Sequence, residues 1–132
     1  MKAINYIDPA IFVGRSGKKG RGIFTREKLD AGIIIEVAPV IVLPHKDRSF
    51  IDQTLLHDYI FEWGENKLQC CMALGYVPLY NHSYQSNCEY EMHFTRQTIT
   101  VKTVRQIKAG EELFINYNGD WDNEKPIWFE VK

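Results

Sequence analysis

Three small polar residues, Asn81, His82 and Ser83, directly follow an apolar run at residues 76 to 80. Asn and Ser are common in turns, because their side chains can hydrogen-bond the nearby main chain, so the trio could simply be a turn. The same residues could form a site, since an imidazole and an amide at a strand end can both bind a ligand. The residue types alone leave both interpretations open.

The histidines and cysteines do not have the spacing of a zinc site. No two of them form a CxxC, HxxxH or CxxxH pair, and the adjacent Cys70 and Cys71 would crowd one metal ion. We therefore predict no metal site. Spacing does not exclude a Ser-His-Asp or Cys-His hydrolase, but no GxSxG elbow is present. His82 and Cys88 would form a dyad only by an accident of folding.

Two further features could place chemistry at a cleft. Residues 17 to 22 carry three glycines, which let the main chain come close to a ligand. This loop is neither a dinucleotide fingerprint nor a phosphate loop, because no strand is predicted before it, no helix is predicted after it and the GK[ST] ending is missing. Alone, it is better explained as a flexible turn. Tyr117 ends a predicted strand beside a polar glycine turn, where its hydroxyl could point into a cleft.

One helix is predicted among the elements that must position these residues. A single apolar stripe indicates a helix over residues 51 to 63, and Gly64 ends it. The stripe consists of Ile51, Leu55, Leu56, Tyr59, Ile60 and Trp63.

The remaining elements are predicted to be short strands. Alternation with a period of two indicates a strand over residues 88 to 94, which forms a hairpin with residues 98 to 102. Residues 33 to 43 read as two short strands or one bent edge strand, because Pro39 interrupts them. Residues 113 to 117 form a further short strand. The pattern predicts a mostly β domain with a helical insert.

One phrase occurs twice in the chain. Leu29-Asp30-Ala31-Gly32 is echoed by Ile107-Lys108-Ala109-Gly110, and an apolar strand follows each copy. Both copies read as tight turns with glycine at a positive φ. They predict two similar supersecondary units.

Length and composition indicate one ordinary globular domain. The chain has 132 residues, 45% hydrophobic and 25% charged, with no apolar run near the ~20 residues that a membrane span needs. The start has no apolar segment typical of a signal peptide, and the cysteines do not form an even set, so we expect reduced thiols and a protein that is not secreted.

Charge is distributed unevenly behind a net charge of −1. Residues 1 to 28 hold seven Lys and Arg against two acids, whereas residues 111 to 130 hold six acids against Lys125. The acidic end could face a cationic peptide and the basic end an anionic cofactor or nucleic acid, although solvated surface is the simpler explanation for any single charge.

Four segments in order resemble the motifs of the SET-domain protein lysine methyltransferases. Residues 20 to 24 (GRGIF) resemble GxG(I/V/L)F, and residues 31 to 36 (AGIIIE) resemble the family's "kG.iI.E" strand. Residues 81 to 88 (NHSYQSNC) resemble NHSxxPN[CA], with Ser86 in place of the usual proline, and AGEEL at residues 109 to 113, followed by Tyr117, resembles "GEEL...Y".

The resemblance covers about residues 13 to 121 and implies a single SET domain over residues 1 to 132. That fold is mostly β and β-clip-like, with several small sheets and a C-terminal pseudoknot that would bring residues 81 and 82 beside Tyr117. The helical insert would span about residues 45 to 69, and an aromatic tail would span residues 121 to 132.

The resemblance also implies roles for individual residues. Tyr117 would be the catalytic tyrosine at the methyl-transfer pore, and Tyr59, Tyr80 and Ile115 would line the channel for the lysine. Core packing explains Tyr59 equally well, and Tyr80 is undecided. The resemblance implies that Gly20, Arg21 and Gly22 hold the methionine end of S-adenosylmethionine. Asn81 and His82 would also hold the cofactor, with His82 contacting the adenine largely through its backbone. Trp128 would stack on the adenine, with Trp121 as the alternative.

The implied reaction moves a methyl group from S-adenosylmethionine to the ε-amine of a lysine in a protein or peptide, leaving S-adenosylhomocysteine. The alternative is a catalytically inactive SET-like interaction module. No zinc-binding CxCxxxxC cluster follows Tyr117, so Asn87 and Cys88 are expected to be structural. We expect neither nucleic-acid nor membrane binding and a cytoplasmic or nuclear location. Nothing in the sequence supports or excludes a homodimer.

Overall fold

The computed structural model of the protein describes residues 3–17 and 20–118. These residues form ten strands, one short helix and two separate 3₁₀ turns. The strands are β1 (Tyr6–Ile7), β2 (Ile11–Arg15), β3 (Arg21–Thr25), β4 (Ile34–Leu43), β5 (Phe61–Trp63), β6 (Gln69–Ala73), β7 (Asn81–His82), β8 (Cys88–His93), β9 (Thr98–Thr103) and β10 (Glu112–Ile115); helix α1 spans His45–Ile51, and the 3₁₀ turns span Leu55–Asp58 and Val77–Leu79.

Strand β4 lies in the interior of the larger sheet. The sheet has six strands in the order β5-β6-β4-β9-β8, with β1 also paired to β4. The edge-strand prediction for this segment is therefore wrong. Pro39 is tolerated because it forms the last pair with β9, opposite Thr98, whereas the pairing with β6 begins only at Val40. The predicted β8–β9 hairpin is confirmed, and Gln97 in its turn has a positive φ.

The smaller sheet brings two distant parts of the chain together. Its order is β2-β3-β10-β7, with β10 antiparallel to β3 and parallel to β7. Phe114 pairs with Asn81 and Ile115 with His82. The segment that leads to Tyr117 thus runs beside the polar trio, as the resemblance implied.

The two copies of the repeated phrase pair with each other. Leu29 and Ile107 exchange two main-chain hydrogen bonds of 2.8 and 2.9 Å, and both side chains are buried. Gly32 and Gly110 have φ angles of +77° and +87°, which confirms the predicted turns. The two similar units therefore meet in the folded chain.

The predicted helix over residues 51 to 63 is wrong. Helix α1 ends at Ile51, a separate 3₁₀ turn follows, and the last three residues are strand β5. The Thr54 hydroxyl donates to the Ile51 carbonyl and accepts from the Leu56 N–H, and these local bonds replace helical ones. The apolar stripe is correspondingly split: Ile60 is 3% exposed and Leu55 75% exposed.

One core lies between the sheets. Its fully buried members come from strands of both sheets and from the segments that connect them, and include Ile23, Ile35, Val77, Tyr80, Ile99, Val101, Ile107, Leu113 and Ile115. No helix in the described part of the chain is long and apolar enough to cross a membrane.

A buried carboxylate anchors the segment before the polar trio. Glu36 on β4 accepts hydrogen bonds from the Tyr76 N–H at 2.7 Å and the Tyr80 hydroxyl at 2.9 Å. Burial raises the pKa of Glu36 to about 7, although the bonds from Tyr76, Tyr80 and Val77 lower it. The carboxylate fixes the path of the chain from residue 76 to residue 80.

Candidate active site

Tyr117 is fixed in position at three points. Its N–H donates to Nδ1 of His82 at 3.1 Å, and its hydroxyl donates to the Tyr80 carbonyl at 2.7 Å. The Tyr90 hydroxyl donates to the Tyr117 carbonyl, also at 2.7 Å. A tyrosine held at its main chain and at its hydroxyl is preorganised, so its oxygen has a defined position.

The Tyr117 hydroxyl is unsuited to act as a base. Burial raises the pKa of the phenol above its ordinary value, and the neighbouring Tyr59 and Asp58 raise it further. Since the phenol keeps its proton and donates it to a carbonyl, its oxygen can only accept hydrogen bonds from a ligand. This suits a group that orients an amine without removing its proton.

His82 supports Tyr117 with its side chain. The imidazole is buried, and because Nδ1 accepts the Tyr117 N–H, the neutral ring carries its proton on Nε2. The ring also lies 5.0 Å from the Tyr117 ring and edge-on to Tyr84 at 4.3 Å. The sequence interpretation gave His82 mainly a backbone role and did not include this side-chain contact.

Two aromatic residues at this site were not identified from the sequence. The ring of Phe61 lies 5.3 Å from that of Tyr90 and 6.1 Å from that of Tyr117. Phe61 is on β5 and Tyr90 on β8, the opposite edges of the larger sheet, so the sheet curls until its edges meet beside Tyr117. Phe61 lay inside the mistaken helix, and the alternation that predicted β8 placed Tyr90 on the same face as Cys88 without indicating what that face contacts.

The predicted channel residues have different environments. Tyr59 is half-buried beside Tyr117 and is not part of the core cluster. The side chains of Tyr80 and Ile115 are fully buried, so neither lines an open channel in this structure. Tyr80 instead faces Tyr117 with its carbonyl, and the Ile115 carbonyl accepts the Ser83 N–H.

The glycine loop and Asn81 are in contact. The Asn81 amide donates to the Arg21 carbonyl at 3.0 Å and to the Glu112 carboxylate at 2.8 Å. Gly20 has a φ of +80° with open space around it, whereas a Cβ on Gly22 would lie 2.5 Å from the Glu112 carboxylate. Gly22 is therefore required by these two side chains.

Asn87 and Cys88 have structural contacts. The Asn87 amide donates to the Glu112 carbonyl at 2.9 Å and accepts the Phe114 N–H at 2.7 Å, which ties the chain to β10. Cys88 is a buried free thiol whose pKa is raised to about 12 by burial. Trp121 and Trp128, the candidates for covering the adenine, lie outside the described residues.

Comparison with known proteins gives a consistent result. The family model described as "SET domain" matches residues 20–118. The histone-lysine N-methyltransferase of Schizosaccharomyces pombe described as specific for H3 lysine-37 is 34% identical over 114 residues, 86% of this chain and 72% of the relative. Human histone-lysine N-methyltransferase 2B is 31% identical over 82% of this chain, which spans only 4% of that protein.

Solved structures share the fold. A crystal structure of a candidate histone methyltransferase from Plasmodium falciparum has a TM-score of 0.68 at 29% identity, covering 87% of this chain and 98% of that one. Polycomb Repressive Complex 2 of Chaetomium thermophilum, solved with S-adenosylmethionine, has a TM-score of 0.70 over 83% of this chain and 15% of that chain. At 22% identity, the second match shows the fold alone.

Proposed function

We propose that this chain, a protein-lysine methyltransferase of the SET-domain family, uses S-adenosylmethionine as its methyl donor and Tyr117 as its catalytic residue. The observation that carries the proposal is the three-point fixation of Tyr117 beside His82, Tyr80 and Tyr90. It supports the proposal because a neutral hydroxyl is held on a ring that packs against Phe61 and His82.

Methyl transfer to lysine needs a neutral and aligned amine. The ε-ammonium has an ordinary pKa of ~10.4, and an apolar environment disfavours its charged form. Phe61, Tyr90 and the half-buried Tyr59 provide such surroundings next to Tyr117. The Tyr117 oxygen, whose proton is donated to the Tyr80 carbonyl, can accept an amine N–H and so direct the nitrogen lone pair.

The residues at the glycine loop fit the proposed cofactor. Gly20, Arg21 and Gly22 could offer main-chain groups, the Asn81 amide contacts the Arg21 carbonyl, and His82 is the next residue of β7. When bound, S-adenosylmethionine would supply a methyl group activated by its sulfonium and leave as S-adenosylhomocysteine. We assign its methionine end to Gly20–Gly22 and Asn81, and keep Trp128 as the proposed cover of the adenine.

The proposed substrate is a lysine in a basic segment of a protein. Asp58 lies near Tyr117, and its acidic side chain would attract a cationic peptide. The names of the fission yeast and human relatives make histones the first substrates to test. Tyr59 and the main chain at Tyr80 and Ile115 are the proposed walls of the lysine channel.

Calorimetry and a methyl-transfer assay test the proposal together. We expect each wild-type chain to bind one molecule of S-adenosylmethionine or one of S-adenosylhomocysteine. We also expect it to transfer a labelled methyl group to core histones or to a panel of lysine-containing proteins, with mass spectrometry locating the modified lysine. If the protein bound neither S-adenosylmethionine nor S-adenosylhomocysteine, the cofactor assignment would be refuted. Binding without transfer to any protein would favour the inactive interaction module.

A further inference from the structure

A single carboxylate connects the two segments assigned to the cofactor. Oε1 of Glu112 accepts the Ser16 hydroxyl at 2.5 Å, and Oε2 accepts the Asn81 amide N–H at 2.8 Å. Ser16 follows β2 at the start of the glycine loop, and Asn81 begins β7. The side chain of Glu112 therefore joins the loop and the polar trio across the small sheet.

These contacts determine which way the Asn81 amide faces. Nδ2 lies between the Arg21 carbonyl and the Glu112 carboxylate, and both are acceptors. A flipped amide would place Oδ1 against two acceptors, so only the observed orientation is stable. No donor among residues 3–17 and 20–118 hydrogen-bonds Oδ1 of Asn81, so this oxygen remains free to accept a hydrogen bond from a ligand.

We infer that Glu112 is a positioning residue for cofactor binding, which holds the Asn81 amide so that its oxygen accepts the ammonium of the cofactor's amino-acid end. The inference rests on the proposed use of S-adenosylmethionine. Without the carboxylate, the Arg21 carbonyl alone would favour this orientation of the amide, and less strongly, because the charged group is the stronger of the two acceptors. Glu112 has no bond to Tyr117, His82 or Tyr90, so its effect is expected on binding and not on the chemical step.

Two substitutions separate the hydrogen-bonding role of Glu112 from its charge. Glu112→Gln can still accept from Asn81 through Oε1 while its amide donates to the Ser16 oxygen. Glu112→Ala can do neither. We expect Glu112→Ala to raise the Kd of S-adenosylmethionine about tenfold, the effect of losing one ordered hydrogen bond. Glu112→Gln should stay within about twofold of the wild type, with kcat at saturating cofactor unchanged within about twofold in both variants.

Glu111→Ala is the matched control. Its carboxylate accepts a hydrogen bond from the Lys108 N–H and forms an ion pair with Arg105 at 3.7 Å. We expect it to leave the Kd unchanged. S-adenosylhomocysteine has the same amino-acid end, so Glu112→Ala should weaken its binding by the same factor. Thermal unfolding of each variant without cofactor checks that the fold is intact.

A double-mutant cycle tests the contact without requiring Glu112→Ala to fold. Asn81→Asp places a second carboxylate against Glu112, which should weaken binding strongly. In the Asn81→Asp/Glu112→Gln variant the new amide can donate to the new carboxylate, and we expect it to bind at least about fivefold tighter than Asn81→Asp alone.

The positioning role would be overturned if the changes in binding free energy of Asn81→Asp and Glu112→Gln simply added in the double variant. Equal loss of affinity in Glu112→Gln and Glu112→Ala would also overturn it. Normal binding by Glu112→Ala would also overturn it, while leaving the proposed function intact. If the wild type itself bound neither nucleoside, the proposed function would fail first and this inference with it.

Discussion

The main-chain N–H of Tyr117 donates a hydrogen bond to Nδ1 of His82 at 3.1 Å, although 35 residues separate them in the chain. The bond forms because β10 runs parallel to β7, with Ile115 opposite His82. A buried N–H needs an acceptor, so the position of the tyrosine depends on the histidine.

Removing the His82 ring should therefore impair turnover. We expect His82→Ala to destabilise the protein by about 1–3 kcal/mol, the cost of leaving a buried donor without a partner, and to lower kcat at least about tenfold. His82→Asn offers an oxygen near the position of Nδ1 and should recover most of kcat. Steady-state kinetics and denaturant unfolding measure both effects. If Asn restored no more activity than Ala, the hydrogen bond would not be the cause.

Tyr117→Phe removes only the hydroxyl that donates to the Tyr80 carbonyl. We expect kcat to fall by about 100-fold, because the acceptor that aligns the amine is lost. The Kd of S-adenosylmethionine, measured by calorimetry, should stay within about twofold.

The control for this change is Tyr76→Phe. Tyr76 is half-buried and contacts Glu36 through its main chain, so its hydroxyl should not matter for turnover. Equal kcat values for Tyr117→Phe and the wild type would remove Tyr117 from the proposed catalytic role.

Tyr90 should contribute to catalysis through Tyr117. Its hydroxyl holds the Tyr117 carbonyl at 2.7 Å, and its ring packs edge-on against Phe61. We expect Tyr90→Phe to keep the ring contact and lower kcat about three- to tenfold, since loss of one hydrogen bond costs about 0.5–1.5 kcal/mol. Tyr90→Phe should lower kcat much less when Tyr117→Phe is already present. If it lowered kcat by the same factor in both backgrounds, the two residues would act separately.

Glu36 should make the stability of the protein depend on pH. Burial raises its pKa from an ordinary 4.5 to about 7, so the folded state binds a proton that the unfolded state has lost between these pH values. Its contribution to stability is thus fully present below about pH 4.5, declines as pH rises to about 7 and is constant above.

The comparison with Glu36→Gln isolates this contribution. Between pH 4.5 and 8 the free energy of unfolding of the wild type should fall by about 2–3 kcal/mol relative to the variant. Urea unfolding at a series of pH values measures the difference. A wild-type-to-variant difference that is independent of pH would mean that Glu36 titrates near its ordinary pKa.

Gly75 has both a positive φ and no room for a Cβ. Gly110 shares only the positive φ, so a comparison of the two positions separates these requirements. The φ angles are +75° and +87°, but a Cβ at Gly75 would lie 2.5 Å from the Glu36 carboxylate, whereas the space at Gly110 is open. Gly110→Ala should cost about 1–2 kcal/mol for backbone strain alone. Gly75→Ala should cost a further 1–3 kcal/mol or so for the close contact, as measured by the denaturant midpoint. Equal costs would argue against the contact with Glu36.

The prediction of one helix over residues 51 to 63 failed for a local reason. An apolar spacing of three and four residues indicated one helix, but Thr54 forms its own turn bonds and residues 61 to 63 pair with β6 instead. Pairing in a sheet depends on a partner strand that periodicity does not reveal. The hairpin at β8 and β9 was predictable because both of its strands and its turn are adjacent in the chain.

The sequence by itself determined the kind of protein, because the four motifs and their order resemble one family and the repeated glycine turns need only local geometry. It placed Tyr117 and the pair Asn81 and His82 in one site through that resemblance. The tertiary structure alone decided which atoms meet: the His82 ring under Tyr117, the Glu112 carboxylate on Asn81, and the two sheet edges that close around the tyrosine. These contacts join residues 27 or more positions apart, and they follow from strand order and register, which side-chain types at local spacing do not specify.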